Sequence, residues 1–583
     1  MKRILPFIVI PLAAALAFAG WRTFFGSGGP DIEPGSTLLV ELSGRYVEAP
    51  AQPLISRVLG DTERPFVGLL STLALAERDD RIATVVLRIR SLDIGWGKAD
   101  ELRAAIGRLR AAGRKTVAYL ELASFNASRE YYVATAADEI YVLPGAAIPV
   151  VGLAAEYIFL GGVWEKLGLE IEVSRAGKYK SAVETIAGTG MSEASREMAN
   201  SLLDDMDRRF RTAIAQGRGL TPATVDAVID EGPVLPAQLV AHDFIDGVRH
   251  LRELAAFEAP VVTPEVYAEV SPGDLGFEPV AHFALVYGSG TVVAGKGRRS
   301  LRGEPVFASE TVSQALLDAA KDPEIDGIVF RIDSPGGTSF APEVIWSALQ
   351  HIRAEGAKPV VASFSDVAAS AGYYAAVGAD AIVSSPGTLT GSIGVFALRP
   401  VFGGLFDKLG IEVETLQRGK HADFLLSSGV QSEGSRERMR ALTLDIYDLF
   451  VGRVAEGRGL ERIEVDAVGQ GRVWTGEQAH QAGLVDELGG LHTAVSWLNR
   501  ELGHDEDADV LLIPYPRTGG LSEQIAELLR GDASAFSDLS ARELLAARRV
   551  LPLPKILWQL ESWLAELPLD APLLIPPVIV EIH

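Results

Sequence analysis

Ala369-Ser370-Ala371-Gly372-Tyr373-Tyr374 in the second half of the chain repeats Ala127-Ser128-Arg129-Glu130-Tyr131-Tyr132 in the first, 242 positions earlier. The same offset joins Asp138 to Asp380, Pro144-Gly145 to Pro386-Gly387, and Gly161-Gly162 to Gly403-Gly404. It also joins Lys166-Leu167-Gly168 to Lys408-Leu409-Gly410 and Gly177-Lys178 to Gly419-Lys420. Farther on, Gly217-Arg218-Gly219-Leu220 matches Gly457-Arg458-Gly459-Leu460 at an offset of 240, after a small indel. A register held over about fifty residues marks a duplication, and fold reasoning starts from it.

Each copy alternates strand-like and helix-like segments. In the second, 282–287, 327–332 and 358–363 are short apolar runs, 310–320 has helical periodicity, and a helix of small residues begins near Ala369. The first copy has strand-like runs at 36–42, 83–89 and 115–122. Longer helices are predicted over 193–216 and 434–456, and the stretch 255–279, with four prolines, reads as the linker. The β-α-β-α order predicts an α/β fold with a mainly parallel sheet, present twice. The expected organisation is a membrane anchor or signal sequence at 1–25, a first repeat at 36–262, a second at 280–515 and a tail at 516–583.

Bulk properties exclude several functions. A chain of 583 residues exceeds a single core. Its formal net charge of −23 repels phosphate backbones, which sets nucleic acid aside as a partner. The absence of cysteine removes disulfides, thiolate metal sites and a thiol nucleophile. The nine histidines form no metal-ligand spacing, so no metal and no cofactor is expected.

At the N-terminus Lys2 and Arg3 precede an uncharged, mostly apolar run over 4–21, closed by Arg22. That is roughly the 17–25 residues a membrane-crossing helix needs. The basic flank predicts a cytoplasmic start with the body exported. Ala17-Phe18-Ala19 also fits a signal-peptidase cleavage pattern, and retention as an anchor is the preferred reading. Beyond Leu551 frequent prolines rule out a second span. Trp558 and Trp563 suit a tail docked on its own domain, a neighbouring subunit or the membrane surface.

Three local features bear on chemistry. Asp333-Ser334-Pro335-Gly336-Gly337-Thr338 follows a strand and precedes a helix, where exposed backbone amides favour negative charge. Ser370 follows another strand among Ala368, Ala369, Ala371 and Gly372. Taken alone, it reads as an N-cap serine. There is no Gly-x-Ser-x-Gly, and His351 and His421 read as surface or packing residues. A nucleophilic Ser370 therefore needs a base other than histidine.

The duplication supplies one. Gly177-Lys178-Tyr179-Lys180-Ser181 corresponds to Gly419-Lys420-His421-Ala422-Asp423, so Lys180 has no lysine counterpart. Conversely, Arg129-Glu130 replace Ala371-Gly372, and the glycine turn has decayed to Ser91-Leu92-Asp93-Ile94-Gly95. Each half keeps what the other has lost. Lys180, otherwise a solvated lysine, becomes the candidate partner of Ser370 in one site assembled from both repeats.

These motifs, with Leu389-Thr390-Gly391-Ser392-Ile393-Gly394-Val395, resemble the signal peptide peptidase A family in its long, two-repeat bacterial form. The resemblance covers nearly the whole chain apart from the tail. It implies tandem Clp-protease/crotonase-like domains behind one N-terminal transmembrane helix. It also implies a serine endopeptidase with a Ser-Lys dyad, and a homo-oligomer, a tetramer, on the periplasmic face of the inner membrane. The implied substrates are signal-peptide remnants and similar hydrophobic peptides. By residue, the resemblance implies Ser370 as nucleophile, Lys180 as general base and Ser392 as a hydroxyl holding the lysine. Gly336, Gly337 and Ala371 are the implied oxyanion-hole amides. Asp333 stands where the family usually has Asn, and Ala371 where Gly is common.

Two other classes compete: a crotonase-like enzyme acting on acyl thioesters, and a non-catalytic membrane scaffold. For the first, no acidic general acid/base is suitably placed beside the glycine turn. The joint retention of Ser370, Lys180 and the turn argues against the second.

Overall fold

The computed structural model describes residues 29–48, 64–122, 127–297, 305–517, 573–574 and 581–582. The expected anchor at 1–25 and nearly all of the tail lie outside these residues. Among the described residues no helix is long and apolar enough to cross a membrane.

Two largely parallel sheets carry the molecule. In the first, Ser36–Val47, Ile82–Asp93, Lys115–Leu120, Glu139–Val142 and Gly247–Val248 lie side by side in that order. In the second, Ala281–Ser289 and Gly327–Ser334 are followed by Val360–Ala369, which Ala381–Ser384 and Leu389–Gly391 both join. The strands are apolar and buried on both faces, as parallel sheets covered by helices require. The predicted strands and long helices are all present, with ends shifted by a few residues. The helices at 193–216 and 434–456, for instance, run over Glu193–Arg218 and Glu433–Arg458.

The duplication extends to individual hydrogen bonds. Tyr131 Oη donates to the Phe244 carbonyl at 2.8 Å, and Tyr373 Oη to the Leu484 carbonyl at 2.8 Å. Arg218 pairs with Asp246, and Arg458 with Asp486; each aspartate also accepts a backbone N–H, from Ile140 or Ile382. These groups satisfy polar atoms inside each core, a need common to both copies.

The proline-rich stretch 255–279 is no free tether. Val261–Val262 pairs with Ser36–Val47, while Tyr267 and Val270 are buried against the first sheet. Apolar side chains in an otherwise loop-like composition hold it down.

Short strands build a further sheet that spans the repeats. Val395–Val401 pairs antiparallel with Glu170–Ala176 on one side and with Leu573–Leu574 on the other; the latter also pairs with Gly337–Thr338. Another contact between repeats is the helix Trp96–Ala111, which packs against Val360–Ala369. Its own N-cap, Gly95, offers no side chain. Asp366 of the second repeat caps it instead, accepting from Gly95 N and Lys98 N at 2.8 Å each.

Candidate active site

Pairing of Glu170–Ala176 with Val395–Val401 places Ala176 opposite Val395. Lys180 follows Ala176 and Ser392 precedes Val395, so both lie at the same end of this antiparallel pair and register brings the two together. Lys180 Nζ lies 2.7 Å from Ser370 Oγ, 2.9 Å from Ser392 Oγ and 2.8 Å from the Ser392 carbonyl oxygen. All three residues are 0 % exposed. The structure thus brings together the two halves that the repeat arithmetic separated.

Burial holds the Lys180 amine well below the ordinary lysine range, because the charged form loses its hydration. Among the described residues no carboxylate pairs with it. Lys98 shows the opposite outcome: burial would lower it, but Asp333, Asp366 and Glu48 hold it protonated. Two buried lysines are thus driven apart by their neighbours alone.

Ser370 occupies the N-cap of the helix Ala371–Ala376, yet its side chain caps nothing. Its backbone takes φ 55°, ψ −114°, a conformation that costs a non-glycine residue about 1–3 kcal/mol. Two hydrogen bonds hold it: Ser370 N donates to the Gly391 carbonyl, and Tyr374 N to the Ser370 carbonyl, both at 2.8 Å. The strand-to-helix turn so made points Oγ at the amine. Ser392 is also in the left-handed region, at φ 53°.

The expected oxyanion donors surround this serine's turn. Ala371 opens the helix, and Gly372 packs so closely on Ser334 that an added Cβ would meet its carbonyl oxygen at 3.0 Å. Gly336 has φ 109° and donates its N–H to Ser334 Oγ at 3.2 Å. Gly337 pairs with Val292, and a Cβ there would lie 2.0 Å from the Val292 carbonyl oxygen. Asp333, the departure noted at the head of this turn, pairs with Lys98 at 2.6 Å and accepts from Val367 N.

The equivalent place in the first repeat is filled. Glu130, the counterpart of Gly372, accepts a hydrogen bond from Leu92 N at 2.8 Å, within the decayed turn. Arg129, the counterpart of Ala371, donates to the Ile94 carbonyl. Ser128 is the first residue of its helix and lacks the left-handed backbone of Ser370.

Sequence reasoning missed two groups. One is the charged set Lys98, Asp333, Asp366, Glu48, Arg331 and Glu101 between the repeats. Isolated charges in a sequence read as solvated, and nothing local signals their burial. The other is Gly469-Gln470-Gly471-Arg472, whose backbone lies against Tyr179, Lys180 and Ser392. At the offset of 240 these match Ile229-Asp230-Glu231-Gly232, so the asymmetry that picked out Lys180 was also legible here.

The chain is similar to known proteins. The profile of Peptidase family S49 matches residues 108–257 and 353–505, one match in each repeat. Over 531 residues the chain is 32% identical to "Serine protease SPPA, chloroplastic" of Arabidopsis thaliana, spanning 88% of this chain and 76% of that protein. It is 28% identical over 511 residues to "Protease 4" of Salmonella typhi, spanning 82% and 80% respectively. Among solved structures, a point mutant of ClpP1 from Listeria monocytogenes aligns with a TM-score of 0.23 at 16% identity, covering 35% of this chain and 91% of that one.

Proposed function

The chain belongs to peptidase family S49 and is a serine-type peptidase, and we propose that it cleaves peptides with Ser370 as nucleophile and Lys180 as general base. The observation that carries this reading is the 2.7 Å approach of a fully buried lysine amine to a fully buried serine hydroxyl across two repeats. The depressed pKa of Lys180 supports it, since an amine accepts a proton only when neutral.

The steps follow from the geometry. Lys180 Nζ takes the proton of Ser370 Oγ as the oxygen attacks the scissile carbonyl carbon. Amides of Gly336 or Gly337 and of Ala371 receive the developing oxyanion, each such donor contributing about 10²–10³ in rate. The Lys180 ammonium then protonates the departing amine, leaving an acyl-enzyme. Neutral Lys180 next takes a proton from water, whose oxygen attacks the ester, and returns that proton to Ser370 Oγ as the acyl–oxygen bond breaks. Ser392 orients the amine throughout, as the third member of a triad does.

In this reading the first repeat (36–262) supplies the base and the second (280–515) the nucleophile, each in a Clp-protease/crotonase-like fold. The segment 1–25 anchors the protein in a bacterial inner membrane with the body in the periplasm. Its substrates are cleaved signal peptides and similar hydrophobic segments. Assembly as a homo-oligomer, a tetramer by resemblance, is supported by the run of exposed apolar side chains at Leu409, Ile411, Val413 and Leu416.

A fluorophosphonate probe tests the reading. Wild-type protein is expected to label at Ser370, and Ser370→Ala and Lys180→Ala are expected neither to label nor to cleave peptide while remaining folded. Labelling that survives Ser370→Ala would overturn it.

A further inference from the structure

A third backbone segment meets the Lys180–Ser370 pair. Tyr179 N donates to the Gln470 carbonyl at 2.8 Å, Gly471 N to the Ile393 carbonyl at 2.7 Å, and Ser392 N to the Arg472 carbonyl at 2.7 Å. Residues 470–472 are thus bonded on one side to the strand end carrying the lysine and on the other to the turn carrying Ser392.

This approach is possible only without side chains. A Cβ on Gly471 would lie 2.5 Å from Lys180 N and 2.6 Å from Lys180 Cβ, and φ there is 80°. One on Gly394 would lie 2.7 Å from Gly471 Cα, and one on Gly177 2.5 Å from the Gln470 carbonyl carbon. Three glycines from three segments meet around one lysine backbone.

Strain marks the same place. The non-glycine residues with left-handed backbone among those described are Asp243, Ser370, Ser392 and Gln470. Asp243 belongs to a surface turn whose counterpart is Gly483, also left-handed. The other three surround Lys180. Strained backbone persists where the surroundings over-determine it, and Gln470 is held by Nε2 donating to Asp466 Oδ1 at 2.5 Å and by N donating to Tyr447 Oη at 3.1 Å. Arg472 ties the segment back to the first repeat through Glu197 at 2.6 Å, and its guanidinium lies 4.9 Å from the centre of the Tyr179 ring.

We propose that Gln470-Gly471-Arg472 is the positioning element of the general base, fixing the Lys180 backbone so that its neutral amine faces Ser370 in a dry site. This role rests on the Ser-Lys reading above. A lysine has four rotatable side-chain bonds, and a displacement of about 1 Å at a reacting group costs about 10²-fold in rate. The first repeat has Glu231 in place of Gly471, where no side chain of a preceding repeat needs to be seated.

The test uses full-length protein and follows fluorophosphonate acylation of Ser370 against pH, alongside thermal unfolding. Gly471→Ala is expected to slow acylation about 10²-fold. It should also move the pH midpoint upward, towards an ordinary lysine, because a displaced amine is no longer sealed from water. Gly503→Ala places the same residue type at a comparable φ of 77° with nothing nearby, and is expected to keep the wild-type profile. If Gly471→Ala does not fold, Gln470→Ala, which removes the anchor to Asp466, replaces it with the same expected direction. Wild-type rate and midpoint in a folded variant at position 471 or 470 would overturn the positioning role while leaving the dyad standing. Absence of labelling in the wild type would overturn the dyad and this role with it.

Discussion

Lys98 of the first repeat and Asp333 of the second meet at 2.6 Å, at the residue that leads into the Ser334-Pro335-Gly336-Gly337 turn. Lys98 is 1 % exposed and is shared with Asp366 and Glu48, so one ammonium answers three carboxylates drawn from both repeats. Beside it Arg331, wholly buried, bridges Glu48 and Glu101; burial would raise Glu48, but Arg331 and Lys98 hold it down at about 2. The turn is seated on this set of charges, and the seat exists only when the repeats are docked.

Lys98→Met strands three carboxylates in the interface. It is expected to lower stability by about 3–5 kcal/mol, the loss associated with breaking a buried ion pair from one side. Adding Asp333→Asn should restore part of it. Denaturant unfolding of the single and double variants measures both.

Activity should rise with pH. In the proposed mechanism Lys180 acts as the neutral amine, and burial places its folded pKa well below the ordinary value, so the active form is present above that folded pKa and is lost as pH falls through it. A pH–rate profile of kcat/KM with an ascending acidic limb that Ser392→Ala displaces would agree. A profile flat across the neutral range would not.

Stability carries the same signature with a defined sign. Between the depressed folded pKa and the ordinary value the unfolded chain binds a proton at residue 180 that the native chain does not. Unfolding free energy therefore rises with pH in that window, by at most about 1.4 kcal/mol per unit from this residue. Lys180→Met should remove that slope. Urea titrations of both proteins at several pH values decide it.

Ser392→Ala removes one of two acceptors that Ser392 offers to Nζ, leaving its carbonyl oxygen in place. Such a hydrogen bond to the ammonium that forms in the transition state corresponds to about 1.5–3 kcal/mol. A fall of about 10–100-fold in kcat is expected, with little change in KM. Steady-state kinetics on a peptide separates the two.

Ser128→Ala should leave peptide cleavage unchanged, because Glu130 and Arg129 occupy the ground where an oxyanion would form. Mass spectrometry of fluorophosphonate-treated protein should find one adduct per chain, on Ser370.

Much of this was legible in the sequence wherever a requirement is local or repeated. Apolar runs such as 327–332 become strands because both faces of a parallel sheet are covered. Lys180 and Ser370 emerged as a pair because Lys180 has no lysine twin and Ser128, the twin of Ser370, has lost the small-residue setting. The shortest strands did not emerge: Thr291–Val293 and Val306–Ala308 are three residues long, too short for any period to register. Nor did the Lys98 cluster, whose members are ordinary charges until residues 235 positions apart are folded onto one another. Gly471 lay between these cases. Its meaning depends on a lysine arriving from the other repeat, yet its mismatch with Glu231 was in plain view.

The separation of Lys180 and Ser370 by 190 positions gives the chain a chronology. During synthesis the base is laid down first and stays an ordinary hydrated, protonated amine while the serine and its turn are still unmade. Burial, which lowers the amine's pKa, comes only when the second repeat is complete and docked. On the proposed dyad, a ribosome stalled midway, or a fragment of either half, holds only one of the two reacting groups and is expected to be inactive.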